Sequence, residues 1–360
     1  MENRKVRVAI THGDTNGVGY ELIFKTFAEP TMLELCTPVV YGSPKAAAYH
    51  RNVLNMQAIF TIIGNAAEVK EGRVNMLATY DEEVKIEMGQ PNAESAKAAI
   101  KALAKAAEDF DKDCYDALVA APMANASAAK ELLPMLEKAT GNGKHGMTIL
   151  VNDSLRIGTV TEALPMKDVA KTITKELVAE KIATMHLTLK RDFRISNPRI
   201  AVLALNPSET EGQEEKESIR PAIIEQEKKG IQAFGPFAAD DFFGNGLYEA
   251  FDGVLAMYQQ QGSTPFRALD LGNGIRFIAG LPVICTAPDS VPAAETAGKG
   301  TADEAAFRQA IYTAIDIARN RANYDEPLKD PLPKLYHEKR DESEKVRFAI
   351  PKKHENKPAE

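Results

Sequence analysis

Val6-Arg7-Val8-Ala9-Ile10-Thr11-His12-Gly13-Asp14-Thr15-Asn16-Gly17-Val18-Gly19-Tyr20-Glu21 decides how the rest of the chain is read. The alternating apolar run Val6–Ile10 predicts a strand, and the pattern after it predicts a helix over Glu21–Ala28. Between them lie Gly13, Gly17 and Gly19, so the backbone either turns tightly or comes close to another group. Asp14 and Glu21 set two carboxylates beside the turn. Such a strand-to-helix crossing is a natural ligand site. The alternative is a connection that needs glycine only for packing, and the local pattern leaves both open.

Outward from this turn, strand-like and helix-like runs alternate. Strands are expected at Thr37–Tyr41, Ala58–Ile63, Ala117–Ala120, Thr148–Val151, Arg156–Val160, Arg199–Ala204, Gly253–Met257 and Ile275–Ile278. Helices are expected at Pro44–Val53, Ala93–Phe110, Val169–Lys190, Glu214–Lys229 and Glu304–Arg321. The alternation predicts an α/β fold with a largely parallel sheet. From Asp325 to Glu360 the chain is rich in charge and proline and reads as a solvated extension, with a strand-like island at Val346–Ile350.

The 360 residues suffice for about two domains. A net charge of −7, with no long basic run, argues against a nucleic-acid binder. Three scattered cysteines, Cys36, Cys114 and Cys285, fit a reducing cytoplasmic setting better than a disulfide scaffold. No apolar run is long enough to span a membrane, and the first residues carry no apolar signal core.

The Gly13-Asp14-x-x-Gly17-x-Gly19-x-Glu21 turn resembles the opening of the 4-hydroxythreonine-4-phosphate dehydrogenase (PdxA) family of pyridoxal phosphate biosynthesis. Later segments agree in order: Ala121-Pro122, Leu205-Asn206-Pro207, Phe234-Gly235-Pro236, Val254–Tyr258, Gly280-Leu281-Pro282 and Ala297-Gly298. The resemblance implies a two-domain isocitrate/isopropylmalate dehydrogenase-like fold with a cleft between domains, working as a homodimer. It places residues 1–130 with about 275–324 in a first α/β domain, about 131–274 in a second with dimer contacts, and 325–360 as the extension. It also implies a divalent metal held by three histidines, NAD or NADP as hydride acceptor, and loss of carbon dioxide from the keto acid.

This chain departs from that pattern where the chemistry should be. The three metal-histidine positions hold Ala163, Ser208 and Gln259. Alanine has no donor atom, and a neutral hydroxyl or amide replaces imidazole poorly toward a transition metal. A divalent metal is therefore not expected, although Ser208, Gln259 and Glu162 offer oxygens to a harder ion. The family's substrate-binding His-Thr pair becomes Leu132-Leu133, its lysine becomes Arg267, an asparagine becomes Arg276 and an arginine becomes Cys285. An Asn-Lys-His segment becomes Ala124-Asn125-Ala126, and Asp-His-Gly-Thr becomes Asp289-Ser290-Val291-Pro292. His12, Asp14, Gly17, Gly19 and Asp289 are the turn or cofactor-side candidates. Arg267 and Arg276 are suited to a small anion, with ordinary surface charge as the other reading. Most of the remaining histidines other than His12 are expected at the surface. Two functions are consistent with this pattern: a divergent paralogue with lost or altered catalysis, and an active NAD(P)-dependent oxidoreductase on a phosphorylated hydroxy acid.

Overall fold

The computed structural model describes residues 4–80, 84–123, 129–207, 211–289 and 294–331. Ser208, Ala124-Asn125-Ala126, Ser290-Val291-Pro292 and the Val346–Ile350 island lie outside the described residues.

Among the described residues the strands are β1 Val6–Thr11, β2 Cys36–Gly42, β3 Thr61–Ile63, β4 Asn75–Ala78, β5 Ala117–Ala120, β6 Met147–Val151, β7 Arg156–Thr159, β8 Arg199–Leu203, β9 Gln232–Phe237, β10 Gly253–Ala256, β11 Ile275–Ala279 and β12 Cys285–Pro288. They form one sheet in the order β3-β4-β2-β1-β5-β12-β11-β6-β7-β10-β8-β9. Both wings are parallel. The centre, β12-β11-β6-β7, is antiparallel. The α/β class is as expected, and the "largely parallel" reading holds for the wings only.

Side chains alternate across the sheet, so each face builds its own core. One face carries Val8 and Ile10 of β1, Ile149 of β6, Phe277 of β11 and Leu255 of β10 in a single cluster that runs under both wings. The helices Lys175–Arg191 and Ala305–Lys329 cover it with Val178, Ile182 and Met185, and with Phe307, Ile311 and Ile315. The other face has two separate clusters. Helix Ala93–Phe110 covers Ala9, Val39 and Leu118 with Ala102, Leu103 and Ala106. Helix Gln259–Leu269 sets Phe266 against Leu150, Ile157 and Val254. Where these two clusters meet, above the antiparallel centre, the sheet lies open to a cavity.

The structure corrects several sequence expectations. Strands β4, β9 and β12 were not expected, and β3 is shorter than Ala58–Ile63. The single helix expected at Val169–Lys190 is two, Met166–Thr172 and Lys175–Arg191. Thr174 is extended there, and its side chain accepts from the Leu177 amide, starting a new helix. Glu214–Lys229 begins as a π-helix over Glu215–Ile219, followed by the α-helix Arg220–Lys228 with proline in its first turn. The last helix continues to Lys329, past the expected start of the extension, and Asp325 within it pairs with Arg191. His50 is buried rather than at the surface.

Candidate functional site

The cavity above the central strands has a volume of about 440 Å³. Its floor follows from strand register. On β11, Arg276 stands opposite Leu150 on one side and Ala287 on the other, and Ile278 stands opposite Thr148 and Cys285. Residues opposite one another share a face, and so do residues two apart. The floor is therefore two rungs, Leu150–Arg276–Ala287 and Thr148–Ile278–Cys285, all of which line the cavity. One wall is helix Gln259–Leu269, which presents Gln259, Ser263 and Arg267 at helical spacing. The opposite wall is the start of helix Leu132–Thr140, with Leu132, Leu133 and Pro134.

Parallel pairing brings Ala163 and Gln259 to this cavity. β7 and β10 pair in parallel with Thr159 opposite Ala256, and the amides of Val160 and Thr161 continue onto the carbonyls of Ala256 and Met257. The chains therefore leave at the same edge, and Ala163 and Gln259 line the cavity together. β8, parallel to β10, sends Leu205-Asn206-Pro207 out at that edge as well. The carboxyl ends of parallel strands are where α/β folds bind ligands. Glu215 ties down the segment before Ser208: its carboxylate accepts from the amides of Leu205, Asn206 and Gly212 and from the Asn206 side chain. Burial acts to raise the Glu215 pKa, but these donors hold it below its ordinary value. Gln261, beside Gln259, is structural, since it bridges the Met257 amide and the Ala204 carbonyl.

The charged end of the cavity is a triad. Arg267 donates from Nε and Nη2 to the two Asp289 oxygens at 2.7 and 3.0 Å, and Arg276 Nε donates to Oδ1 at 2.8 Å. Arg276 Nη2 also reaches the Asp289 carbonyl at 3.2 Å. The Asp289 side chain is 2% exposed, while Arg267 and Arg276 are 48% and 41% exposed. Burial alone would raise the Asp289 pKa, but the two guanidiniums hold it below its ordinary 3.8. Asp289 thus sits with Arg267 and Arg276 in one cluster. Cys285 is no nucleophile, because burial pushes its thiol up to about 12.

The glycine-rich turn is elsewhere. Gly13 has a φ of +68°, and a Cβ there would overlap the Pro122 carbonyl oxygen; one at Gly19 would overlap the His12 carbonyl oxygen. Close backbone packing accounts for both glycines. His12 is fully buried, stacked on Tyr20 at 5.3 Å between ring centroids. Burial, then repulsion from His50, lowers its pKa to about 3. Asp14 accepts from the Asn16 amide, and Glu21 pairs with Lys25 and accepts from the Ala302 amide. Gly17, like these residues, is buried, and none of them lines the cavity. Sequence reading missed Lys130, Thr148, Leu150, Ser263 and Ile278 as cavity residues. Only Ser263 carried a signal, its four-residue spacing from Gln259 and Arg267.

Among the described residues no cluster of three or more histidine, cysteine, aspartate or glutamate side chains is arranged to hold a metal ion. No helix of the described residues is long and apolar enough to cross a membrane.

Comparisons with known proteins by family profile, sequence and structure agree. The sequence profile of the family described as "Pyridoxal phosphate biosynthetic protein PdxA" matches residues 34–314. A 4-hydroxythreonine-4-phosphate dehydrogenase of Bacteroides thetaiotaomicron is 47% identical over 358 residues, covering 97% of this chain and 98% of the relative. The crystal structure of a 4-hydroxythreonine-4-phosphate dehydrogenase from Burkholderia phymatum superposes with a TM-score of 0.70 at 29% identity, covering 88% of this chain and 99% of that one. One from Klebsiella pneumoniae superposes with a TM-score of 0.72 at 25% identity, with the same coverage.

Proposed function

The chain belongs to the PdxA family, and from that premise we propose that it keeps the family's substrate cleft as a binding site for a small anion while lacking the metal-dependent oxidation. The observation that carries this reading is the pair Ala163 and Gln259 on the cavity wall. The resemblance assigns imidazole ligands to these positions and to Ser208. A methyl group and an amide do not make a transition-metal site. The donor set does not fit the metal. The chain's own contribution is binding: Arg267 and Arg276 attract an anion, and Asp289 fixes their guanidinium planes. We place the protein in a reducing compartment, supported by its free thiols Cys36, Cys114 and Cys285, and as a homodimer, supported by the family resemblance.

A second reading, an active NAD(P)-dependent oxidoreductase on a phosphorylated hydroxy acid, is favoured by the 47% identity to a relative named as that dehydrogenase. One paired experiment separates them. Purified protein is given 4-phosphohydroxy-threonine with NAD or NADP and a divalent metal, alongside metal analysis and isothermal titration with substrate alone. The expected result is substrate binding without turnover and without bound metal. Metal-dependent reduction of the nucleotide would establish the second reading.

A further inference from the structure

A second groove, of about 640 Å³, lies on the side of the sheet covered by helices Lys175–Arg191 and Ala305–Lys329. Helix Lys175–Arg191 forms one side with Thr184, Leu187, Thr188 and Arg191, which recur at helical spacing along one stripe. The other side is the Gly280-Leu281-Pro282 turn after β11, with Arg321 of the last helix. Two ion pairs tie the sides together: Arg321 with Asp192, and Arg191 with Asp325. Arg321, Asp325 and Leu328 sit at i, i+4 and i+7, so the stripe of the last helix that meets the groove ends in Leu328. Leu328 is 60% exposed, and Leu187 is 51% exposed. Each lies within one helical turn of the Arg191–Asp325 pair, so two large apolar side chains face water at this end of the groove.

The chain itself leads here. The sequence reads as solvated from Asp325 on, yet the first residues of that extension are helical, and Arg191 holds Asp325 at the groove. The described chain ends at Pro331, and residues 332–360 follow it. Pro331 and Pro333 cannot continue the helix, and each holds the residue before it out of the helical region. With three residues per turn of a polyproline-type segment, Leu332 and Leu335 face the same way. From Pro331 to Leu335 is about 12 Å at ~3.1 Å per residue. From Arg191 back to Thr184 is about 10.5 Å at ~1.5 Å per residue. Leu335 is therefore within reach of Thr184 and Leu187. Charge agrees with this path. Among the described residues Lys144, which lines the groove, has no ion pair, and Glu180 has only Lys181 at 3.9 Å. Glu338 and Lys339 follow in the sequence. The Bacteroides relative covers 97% of this chain, so the unmatched 3% of 360 residues is shorter than the stretch after Pro331. Much of the extension is thus shared with that relative.

We propose that residues 332–339 of this same chain dock in the groove. Leu332 and Leu335 pack against Leu328 and Leu187, with Glu338 and Lys339 toward Lys144 and Glu180. The docked segment straps the last helix to helix Lys175–Arg191. This assignment is independent of the ligand of the central cavity.

The test uses the full-length chain. Cys36 and Cys285 are buried, so Cys114→Ser provides the background for paired cysteines. Thr184→Cys with Leu335→Cys is oxidised at low protein concentration. The comparison is Arg51→Cys with Leu335→Cys, since Arg51 lies beside the edge strand β3. The first pair should form its disulfide at least about tenfold faster, at a rate independent of protein concentration. The unaltered chain gives a second readout. Trypsin should cut after Lys334 and Lys339 at least about tenfold more slowly than after Lys353, and Leu187→Asp should abolish the difference. Equal disulfide rates for the two pairs, or equal cleavage at these sites in the unaltered chain, would overturn the docking. A disulfide that forms only between chains, and faster at higher concentration, would overturn the assignment to the same chain.

Discussion

Asp289→Asn tests the triad directly. The substitution keeps the shape and removes the charge that holds Arg267 and Arg276 together. Removing one partner of a fully buried ion pair costs about 3–5 kcal/mol. Here the aspartate is buried but the two guanidiniums are 48% and 41% exposed, so water takes over part of their solvation. The expected loss is about 2 kcal/mol at neutral pH, measured as a lower urea midpoint with unchanged slope. The pH dependence has a defined sign. Asp289 titrates below its ordinary 3.8 in the folded chain. Its contribution is therefore fully present above the unfolded value and is lost as pH falls through the lower folded value. The gap between wild type and variant should stay constant from pH 7 to about pH 5 and narrow in more acidic solution. The variant's cavity also gains a positive charge, which should tighten inorganic phosphate by on the order of 1 kcal/mol, about fivefold. A variant within about 0.5 kcal/mol of wild type at pH 7, or a gap that does not narrow in acid, would refute the reasoning.

Arg321 bridges the last helix to Asp192 and to the carbonyls of Leu281 and Pro282, with both side chains of the ion pair buried. Arg321→Leu should destabilise by about 3–5 kcal/mol in urea unfolding, and a loss under about 1 kcal/mol would show that the pair is not structural. His12 and His50 are held neutral, with pKa values lowered by burial from 6.5 to about 3 and about 4. The unfolded chain takes up these protons first, so stability should fall as pH drops from about 6.5 toward 4. His50→Gln should make that fall shallower, and equal wild-type urea midpoints at pH 7.5 and 5 would contradict it. Finally, Ala163→His with Ser208→His and Gln259→His should create zinc binding detectable by titration, with none expected for the wild type. Stoichiometric zinc in the wild-type cleft would refute the argument from its donor set.

How much was legible differs element by element. β1 and β2 read clearly because both are long and apolar, and the sheet buries them on both faces. β12 was missed because Cys285-Thr286-Ala287-Pro288 has no pattern of its own; pairing with β5 and β11, distant in sequence, makes it a strand. The break at Thr174 was readable in principle as an N-cap, but the apolar spacing on both sides continued through it. Ala163 and Gln259 could be placed because each follows closely on a recognisable strand end. The Asp289 clamp could not, since Arg267, Arg276 and Asp289 lie on a helix, a strand and the end of another strand.

The sequence by itself determined the α/β class, the family, and the identity of the side chains that stand at the expected ligand positions. These are properties of local pattern and motif order. Only the tertiary structure decided that the glycine-rich turn is packing rather than part of the cavity, because the overlap of a Cβ with a carbonyl oxygen depends on where Pro122 and His12 come to lie. It also decided that two arginines share one buried carboxylate. That contact needs a helix, a strand and the end of another strand, far apart in sequence, to come together, and only tertiary packing does that.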